Sequence, residues 1–354
     1  MFSILETYDT LGDHMKKGLI LLLIFFLNLS LVKASEYSVK NYIVYNPDTK
    51  QILEGKQIHQ VQSVASISKI MTAIIAIENC PLEKIITLND SILKAYGSAV
   101  YIHIGDQISM QDLLYALLLR SGNDAALAIA NEVGQGDNEK FVEMMNKKAT
   151  ELKMEHTHFS NPSGLDEEDD GNLSCVYDMA ILMGYCINNP IFCEIIHTQN
   201  YKREDHKGSW QNKNKLLSLY ENCLGGKTGY TKKAKRTLIN AAIKDGIRLI
   251  CVTFNCGDDF YLQKNLFEKN FALYKPILIF NEGTHILNHY QFELDQPLIY
   301  PALKEEPINV SYEIKNQQIY LKVNQNVLTV ANYEYLQTPI LNEILFYFKV
   351  MFYE

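Results

Sequence analysis

The sequence LGGKTGYTKKAKRTLINAAIKDGIRLICVTF, residues 224–254, predicts the edge of an antiparallel sheet. Two apolar runs, 236–243 and 247–254, flank Lys244-Asp245-Gly246, and Asp-Gly between two such runs is a strong hairpin signal. The segment around Lys227-Thr228-Gly229 precedes this hairpin, and we expect it to form the neighbouring edge strand.

Two further strands are predicted near the start of the chain, where residues 41–44 and 51–54 flank the turn sequence Pro47-Asp48-Thr49-Lys50. Helical patterns fill the interval between these early strands and the three late ones. We therefore expect one five-stranded antiparallel sheet surrounded by helices, which is a mixed α/β (α+β) fold.

Five helices are expected in that interval. Residues 67–77 are densely apolar and long enough for a buried helix. Ser109, followed by Asp112, resembles a helix start, and that helix should run to Leu118 before the break at Ser121-Gly122. The other predicted helices are 123–133, 137–152 and one that Ser174 caps and that runs to Met183.

Composition argues against some classes of protein. The 354 residues carry a formal net charge of −8, so nucleic-acid binding is not expected, because such proteins usually present a basic surface. Seven cysteines occur without a Cys-x-x-Cys pair, and most are expected to be core residues. His156 and His158 lie close in sequence, but no further pattern completes a metal site, so no metal ion is predicted.

Residues 1–34 are predicted to be an N-terminal extension followed by a secretion signal. Met15-Lys16-Lys17 supplies positive charge, residues 19–27 are an unbroken apolar run, and Val32-Lys33-Ala34 suits cleavage. An uncleaved anchor is the alternative, although the run is short for a transmembrane helix. We expect translation to begin at Met15 and the protein to be exported to the extracytoplasmic face or the cell wall.

The pattern changes beyond residue 276. Residues 308–314 and 319–323 alternate between apolar and polar side chains, which predicts a small β-rich domain over 276–339 with one buried face. Residues 340–354 are almost wholly apolar or aromatic, with their polar residues near one helical face. This segment either lies on a membrane surface as an amphipathic anchor or packs on the β-rich domain.

Three Ser-x-x-Lys sequences occur, beginning at Ser30, Ser66 and Ser91. Only Ser66 lies at the N-terminus of a long, predicted buried helix, where one helical turn brings Lys69 onto the same face. A serine hydroxyl becomes nucleophilic when a base takes its proton, and lysine can be that base if burial and nearby cations lower its pKa. Taken alone, Ser66 could equally be a plain helix cap and Lys69 a solvated side chain.

Ser121-Gly122-Asn123 lies at the predicted break between two helices, where side chains can project into a cleft. Ser121 could relay a proton between Lys69 and a leaving group, and Asn123 could hold a substrate amide. Both residue types are also common helix caps, which is the alternative interpretation.

Lys227-Thr228-Gly229 superficially resembles the end of a phosphate-binding loop. That loop needs glycine at position 221, which is Glu221, so we reject this interpretation. On an edge strand, Lys227 and Thr228 could instead meet a substrate carboxylate, and Gly229 would let a substrate backbone approach closely. The next backbone N–H, that of Tyr230, could form an oxyanion hole with the N–H of the nucleophile.

Ser-x-x-Lys, Ser-Asp-Asn and Lys-Thr-Gly motifs together are typical of penicillin-binding proteins and class A β-lactamases. This chain, with Ser-Gly-Asn in the second motif, resembles the low-molecular-mass penicillin-binding proteins, which are serine-type D-alanyl-D-alanine carboxypeptidases of peptidase family S11. The resemblance covers roughly residues 36–275 and includes 121–126 (SGNDAA), 161–166 (NPSGLD) and 177–180 (YDMA).

The resemblance implies a transpeptidase-like catalytic domain over 35–275, followed by the β-rich domain. It implies acyl-enzyme chemistry on peptidoglycan stem peptides ending in D-Ala-D-Ala, without a cofactor, and acylation of Ser66 by β-lactam antibiotics. The residues it assigns to catalysis are Ser66, Lys69 and Ser121, and those it assigns to substrate binding are Asn123, Lys227, Thr228, Gly229 and Tyr230.

Three departures from the family pattern stand out. Ala234-Lys235 replaces the usual Ala-Gly after the Lys-Thr-Gly strand, and the region after residue 276 is shorter than in the family. No arginine follows Arg248, although many members carry one beyond the last strand of the sheet to assist the substrate carboxylate.

Two alternatives use the same scaffold. A β-lactamase-like hydrolase would deacylate quickly through an acidic residue that positions water, and Glu167 and Glu168 lie in the right general region. A non-catalytic cell-wall-binding protein would keep the fold without the chemistry, and the intact motifs argue against it.

Overall fold

The computed structural model describes residues 39–336, except 167–170 and 204–207. The strands up to residue 256 are β1 Val39–Asn46, β2 Gln51–Lys56, β3 Gln62–Ser63, β4 Ile85–Thr87, β5 Gln107–Ser109, β6 Leu173–Ser174, β7 Asn200–Lys202, β8 Ser209–Gln211, β9 Cys223–Thr231, β10 Lys235–Lys244 and β11 Ile247–Cys256. A five-stranded antiparallel sheet has the order β2-β1-β11-β10-β9, which confirms the predicted sheet of two early and three late strands.

The hairpin between β10 and β11 forms where the Asp-Gly signal predicts it. Lys244 pairs with Ile247, and the turn residues Asp245 and Gly246 have φ angles of +50° and +79°. A tight hairpin turn needs both angles positive, and Asp and Gly tolerate that conformation. β9 lies at the end of the strand order, so the Lys-Thr-Gly segment is on an edge strand as predicted.

Helices cover the sheet and fill the interval between its early and late strands. They are α1 Lys69–Asn79, α2 Met110–Tyr115, α3 Asn123–Val133, α4 Asn138–Glu151, α5 Val176–Cys186, α6 Pro190–His197, α7 Leu216–Leu219 and α8 Asp259–Leu273. Two 3₁₀ turns, Ala65–Ser68 and Asp90–Lys94, and a π turn, Ala116–Arg120, complete the helical segments of the described residues.

The helix predicted from Ser109 starts as expected but ends differently. The Ser109 hydroxyl accepts the N–H of Asp112 at 3.1 Å, so the predicted cap is confirmed. The helix does not run on regularly to Leu118, because α2 passes into the π turn after Tyr115. The π turn ends at Ser121, whose φ of +65° breaks the helix where the sequence predicts a break.

The predicted cap of α5 is wrong by one residue. The Sγ of Cys175 accepts the N–H of Asp178 at 3.4 Å, whereas Ser174 pairs with Gln62 in the two-stranded β3–β6 ribbon. All seven cysteines are free thiols, and six of them are buried, as expected for core residues.

The main hydrophobic core lies between the sheet and the helices that pack on it. α1 is buried over its first eight residues, from Lys69 to Ala76, and it packs against α3 and α5. Complete burial of one large apolar side chain stabilises the fold by about 1.5–3 kcal/mol. This apolar helix therefore draws the lysine at its first position into the core, close to the edge strand β9.

A β-rich region follows α8. Its strands are β12 Tyr274–Phe280, β13 Gly283–Leu287, β14 Tyr290–Leu294, β15 Leu298–Leu303, β16 Val310–Lys315, β17 Gln318–Val323 and β18 Asn326–Tyr335. Five of them form a sheet in the order β13-β14-β18-β17-β16, and β12 pairs with β15. Alternate residues of β17 are buried, which confirms the predicted β structure with one buried face.

Some sequence predictions fall outside the described residues, namely the N-terminal segment 1–34, the C-terminal segment 340–354, and Glu167 and Glu168. Within the described ranges, no single helix has both the length and the apolar content to cross a membrane. Only α5 and α6 taken together meet that criterion, and they are bent by 110° relative to each other.

Candidate active site

Ser66 occupies the second position of the 3₁₀ turn that leads into α1, and it is half-buried. The turn begins at Ala65, whose φ of +53° is unusual for a residue with a side chain. A neighbouring loop packs tightly on this turn: a Cβ on Gly164 would lie 2.1 Å from the carbonyl oxygen of Ala65. Glycine at 164 therefore permits the contact that fixes the turn carrying Ser66.

Lys69 is fully buried and points at Ser66. Its Nζ donates to Ser66 Oγ at 3.1 Å, to Asn123 Oδ1 at 2.6 Å, and to the carbonyl oxygen of Ser163. Burial, followed by the positive charges of Lys227 and Lys213, holds the pKa of Lys69 well below its usual value. A lysine in this environment favours the neutral amine, which can accept the proton of the Ser66 hydroxyl.

Lys227 is also buried, at the centre of the edge strand β9. Its Nζ donates to the carbonyl oxygen of Thr228 at 2.7 Å. Burial, and then the charge of Lys213, lowers the pKa of Lys227 to about 7. The lysine of the Lys-Thr-Gly motif thus contributes to the lowered pKa of Lys69.

Lys213, which no sequence motif predicts, acts on both of these lysines. It is held beside the π turn, where its backbone N–H donates to the carbonyl oxygen of Leu119 at 3.1 Å. The residue is exposed overall, but partial desolvation of its ammonium group, followed by the charge of Arg120, lowers its pKa. Lys213 carries no motif, and it reaches the site only through the tertiary fold, so no local pattern could have identified it.

The Ser121-Gly122-Asn123 segment forms one wall of the site. Ser121 is buried in a left-handed backbone conformation at the end of the π turn. Asn123 uses both ends of its amide: Oδ1 accepts from Lys69, and Nδ2 donates to the carbonyl oxygen of Tyr96 at 2.6 Å. Asn123 therefore orients Lys69, and a substrate would have to use the remaining N–H or lone pair of this amide.

A turn over residues 161–164 forms another wall. The Oδ1 of Asn161 accepts the backbone N–H groups of Ser163 and Gly164 at 3.1 and 2.8 Å. This arrangement directs the carbonyl oxygen of Ser163 at Lys69, and Thr72 Oγ1 donates to the adjacent carbonyl of Pro162 at 2.7 Å. The sequence predicts a turn here, but no sequence pattern indicates that the main-chain oxygen of Ser163 accepts a hydrogen bond from Lys69.

The edge strand β9 packs directly on the turn that carries Ser66. A Cβ on Gly229 would lie 3.0 Å from the backbone nitrogen of Ser66 and 2.4 Å from Thr237 Oγ1. Thr237 in turn donates to the carbonyl oxygen of Val64 at 2.9 Å. Gly229 thus brings the strand, and with it the amide of the next residue, Tyr230, close to the amide of Ser66.

The structure brings Ser66, Lys69, Asn123, Lys227 and Gly229 together. Ser121 and Thr228 lie close to these residues in the chain. Within the part of the chain that the structure describes, neither of them forms a side-chain hydrogen bond with Lys69. The side chain of Tyr230 is exposed, so the part predicted for this residue rests on its main chain.

Neither of the arginines on β10 and β11 has a free guanidinium. Arg248 forms an ion pair with Asp48 and donates to Asn188 Oδ1, and Arg236 forms an ion pair with Asp259. Three lysines, Lys69, Lys227 and Lys213, are grouped at the site, and Arg120 acts on Lys213. Their arrangement suits acyl transfer to the serine from a substrate that carries an anionic group.

Comparison with known proteins agrees with this geometry. Residues 29–257 match the family Peptidase_S11, described as D-alanyl-D-alanine carboxypeptidase. The D-alanyl-D-alanine carboxypeptidase DacF of Bacillus subtilis is 34% identical over 229 residues, which are 62% of this chain and 58% of that protein. The match to this relative thus spans a little over half of its length.

Solved structures show the same fold. A D-alanyl-D-alanine carboxypeptidase from Mycobacterium tuberculosis matches with a TM-score of 0.64 at 28% identity, over 67% of this chain and 92% of that one. Penicillin binding protein 5 from Haemophilus influenzae matches with a TM-score of 0.72 at 22% identity, over 86% of this chain and 98% of that one, so the likeness of fold extends beyond the central sheet. The family match, which covers more than half of the chain, establishes that this protein belongs to the D-alanyl-D-alanine carboxypeptidase family, peptidase S11.

Proposed function

We propose that this protein is a serine-type D-Ala-D-Ala carboxypeptidase that removes the terminal D-alanine from peptidoglycan stem peptides. The observation that carries the proposal is the buried Lys69, which lies 3.1 Å from Ser66 Oγ and whose pKa is lowered by burial and by neighbouring cations. Relatives that bear this activity in their names support it.

In the acylation step, Ser66 Oγ attacks the carbonyl carbon of the penultimate D-Ala, and Lys69 accepts the hydroxyl proton. The backbone N–H groups of Ser66 and Tyr230 stabilise the negative oxygen of the tetrahedral intermediate. The C–N bond then breaks, and Ser121 relays the proton from Lys69 to the amine of the leaving D-alanine, which returns Lys69 to its neutral form. This leaves an ester between Ser66 and the shortened peptide.

Substrate recognition is assigned to β9. Lys227 and Thr228 hold the carboxylate of the terminal D-alanine, Gly229 allows the substrate backbone to approach, and Asn123 contacts the substrate amide. Because no arginine follows Arg248 in the chain, this carboxylate depends on Lys227 and Thr228 more than in relatives that have such an arginine. Water then hydrolyses the ester, with Lys69 as the base.

Labelling with a fluorescent penicillin, followed by mass spectrometry, tests this function. We expect a covalent adduct on Ser66, and we expect Ser66→Ala to abolish it. Ser91→Ala is the matched control, since Ser91 begins the other Ser-x-x-Lys sequence of the described residues and should leave labelling unchanged. A folded protein that carries no adduct on Ser66 would refute the proposal.

The same labelling experiment separates the alternatives. Rapid release of the penicilloyl group would favour a β-lactamase, and slow release a carboxypeptidase. Unchanged function in cells that carry Ser66→Ala would favour a non-catalytic wall-binding protein.

The proposal also covers the cellular location of the protein and the roles of its two terminal segments. Peptidoglycan lies outside the cytoplasmic membrane, so this activity requires export, which residues 1–34 would direct as a signal peptide. We also propose that 276–339 is a separate β-rich domain and that 340–354 contacts the membrane surface. Fractionation of cells tests the contact: truncation before residue 340 should release the protein into the soluble fraction.

A further inference from the structure

A second group of reactive side chains lies around the start of α5. His59, His156 and Cys175 each offer one ligand atom, and these three atoms lie within 4.8 Å of one another. His59 lies between β2 and β3, His156 between α4 and β6, and Cys175 caps α5. Imidazole nitrogen and thiolate sulfur are the ligands that zinc prefers in proteins.

We propose that His59, His156 and Cys175 bind a zinc ion. With bonds of about 2.0–2.1 Å to nitrogen and 2.3 Å to sulfur, two nitrogens and one sulfur around a tetrahedral ion are about 3.3–3.6 Å apart. The three atoms lie within 4.8 Å of one another, so they need to approach by at most about 1–1.5 Å, which side-chain rotations can provide. Three protein ligands leave the fourth position of the zinc ion to water.

Two of the three side chains are exposed and one is buried, which suits an ion that enters from solvent. The His59 and His156 rings are exposed, with centroids 5.3 Å apart, whereas Cys175 is buried beneath them. A surface cavity of about 350 Å³ is lined by both histidines and by Glu155 and Asp178. An ion can thus reach the histidines from the cavity before it meets the thiol.

Asp178 lies beside His156, at a distance from the ring that a small rotation would shorten to a hydrogen bond. One carboxylate oxygen of Asp178 accepts the backbone N–H of His156 at 2.7 Å, and the other lies 3.9 Å from His156 Nδ1. If His156 binds zinc through Nε2, its Nδ1–H faces this buried carboxylate. Such a pairing fixes the ring orientation of zinc-bound histidines.

The zinc ion would join segments that lead towards the nucleophile. The chain around His59 already contacts the segment that leads into α5. β3 pairs with β6, Tyr177 N–H donates to the carbonyl oxygen of Ile58 at 3.2 Å, and Val64 N–H donates to that of Asn172 at 3.1 Å. Zinc would add a further link between these two segments. The proposed ion is structural and takes no part in the chemistry at Ser66, so the two proposals stand or fall separately.

Titration of the untagged full-length protein with Co²⁺ and Zn²⁺ tests the site. We expect one tightly bound ion per chain, tetrahedral Co²⁺ absorption with a thiolate charge-transfer band, and a zinc-dependent rise in melting temperature. His59→Ala and His156→Ala should each weaken zinc binding more than about tenfold, since loss of outer-shell partners alone costs 10–100-fold. Cys175→Ser should remove the charge-transfer band.

His158→Ala is the matched control, because this exposed histidine lies two residues from His156 and outside the cluster. It should bind both metals as the unmodified protein does. Circular dichroism of each variant shows whether the fold is intact. If Cys175→Ser fails to fold, the zinc affinities of the two histidine variants test the proposal. The proposal is overturned if the unmodified protein binds no stoichiometric zinc, or if His156→Ala and His158→Ala behave alike.

Discussion

Lys69 and Lys227 are two fully buried lysines that face the same site, and the charge of Lys227 disfavours the charged form of Lys69. Burying an ammonium group is costly unless its pKa falls, and both pKa values are lowered here. The two residues need opposite states in the proposed reaction. Lys69 acts as a base and has to be neutral, whereas Lys227 binds a carboxylate best when it is charged.

The pH dependence of acylation should show that Lys69 and Lys227 need opposite protonation states. Since the pKa of Lys227 is about 7, its cation is present below that pH and is lost as the pH rises through it. We expect the second-order rate constant for acylation by a carboxylate-bearing penicillin to fall as the pH rises above about 7, because this constant reports the free enzyme. Lys227→Arg keeps its charge and should lose this alkaline decline.

Stopped-flow measurements of the labelling rate between pH 5 and pH 10 give this profile. Lys215→Arg, a change at an exposed lysine, should retain the profile of the unmodified protein. An alkaline decline that persists unchanged in Lys227→Arg would show that another group causes it.

Among the elements, those that local sequence specifies were predicted best. The β10–β11 hairpin follows from Asp245-Gly246, and the contact of Lys69 with Ser66 follows from a single helical turn. The π turn was missed, because one extra residue in a helical turn leaves the apolar pattern nearly unchanged. Lys213 and the Ser163 carbonyl were missed because only the tertiary fold brings them to Lys69.

The packing of β9 on the Ser66 turn makes Gly229 sensitive to substitution. In Gly229→Ala the new methyl group would lie 2.4 Å from Thr237 Oγ1 and 3.0 Å from the Ser66 nitrogen, so the strand or the turn has to move. A displacement of about 1 Å can lower a catalytic rate about 100-fold, whereas overpacking costs about 1–3 kcal/mol of unfolding free energy. We expect acylation to slow by at least about tenfold while the protein stays folded.

Penicillin labelling rates and urea unfolding measure the two effects. Gly257→Ala is the matched control, since a Cβ there has nothing within 4 Å and should change neither quantity much. Equal labelling rates for Gly229→Ala and the unmodified protein would contradict the packing argument.

At the scale of the whole molecule, the sequence predicted that the early and late strands share one sheet and that β structure follows. It did not predict how the β-rich region contacts that sheet. Gln51, on β2, donates to Tyr300 Oη, on β15, at 2.7 Å, and Tyr300 donates to Glu306 at 3.1 Å. These polar contacts join segments far apart in the chain, and no periodic pattern encodes them.

Tyr300 is almost completely buried, so its hydroxyl should matter for stability and not for chemistry. Tyr300→Phe keeps the ring but removes an acceptor from Gln51 and a donor to Glu306. Gln51 and Glu306 are only partly buried, and Glu306 keeps its hydrogen bond from Asn324. A typical hydrogen bond contributes about 0.5–1.5 kcal/mol, and we expect the free energy of unfolding to fall by about that amount. Urea denaturation measures the change, with Tyr335→Phe as the control, because that hydroxyl is on an exposed side chain. Since Tyr300 lies outside the site around Ser66, the penicillin labelling rate should stay unchanged. If Tyr300→Phe is as stable as the control, this contact does not help to hold the β-rich region on the sheet.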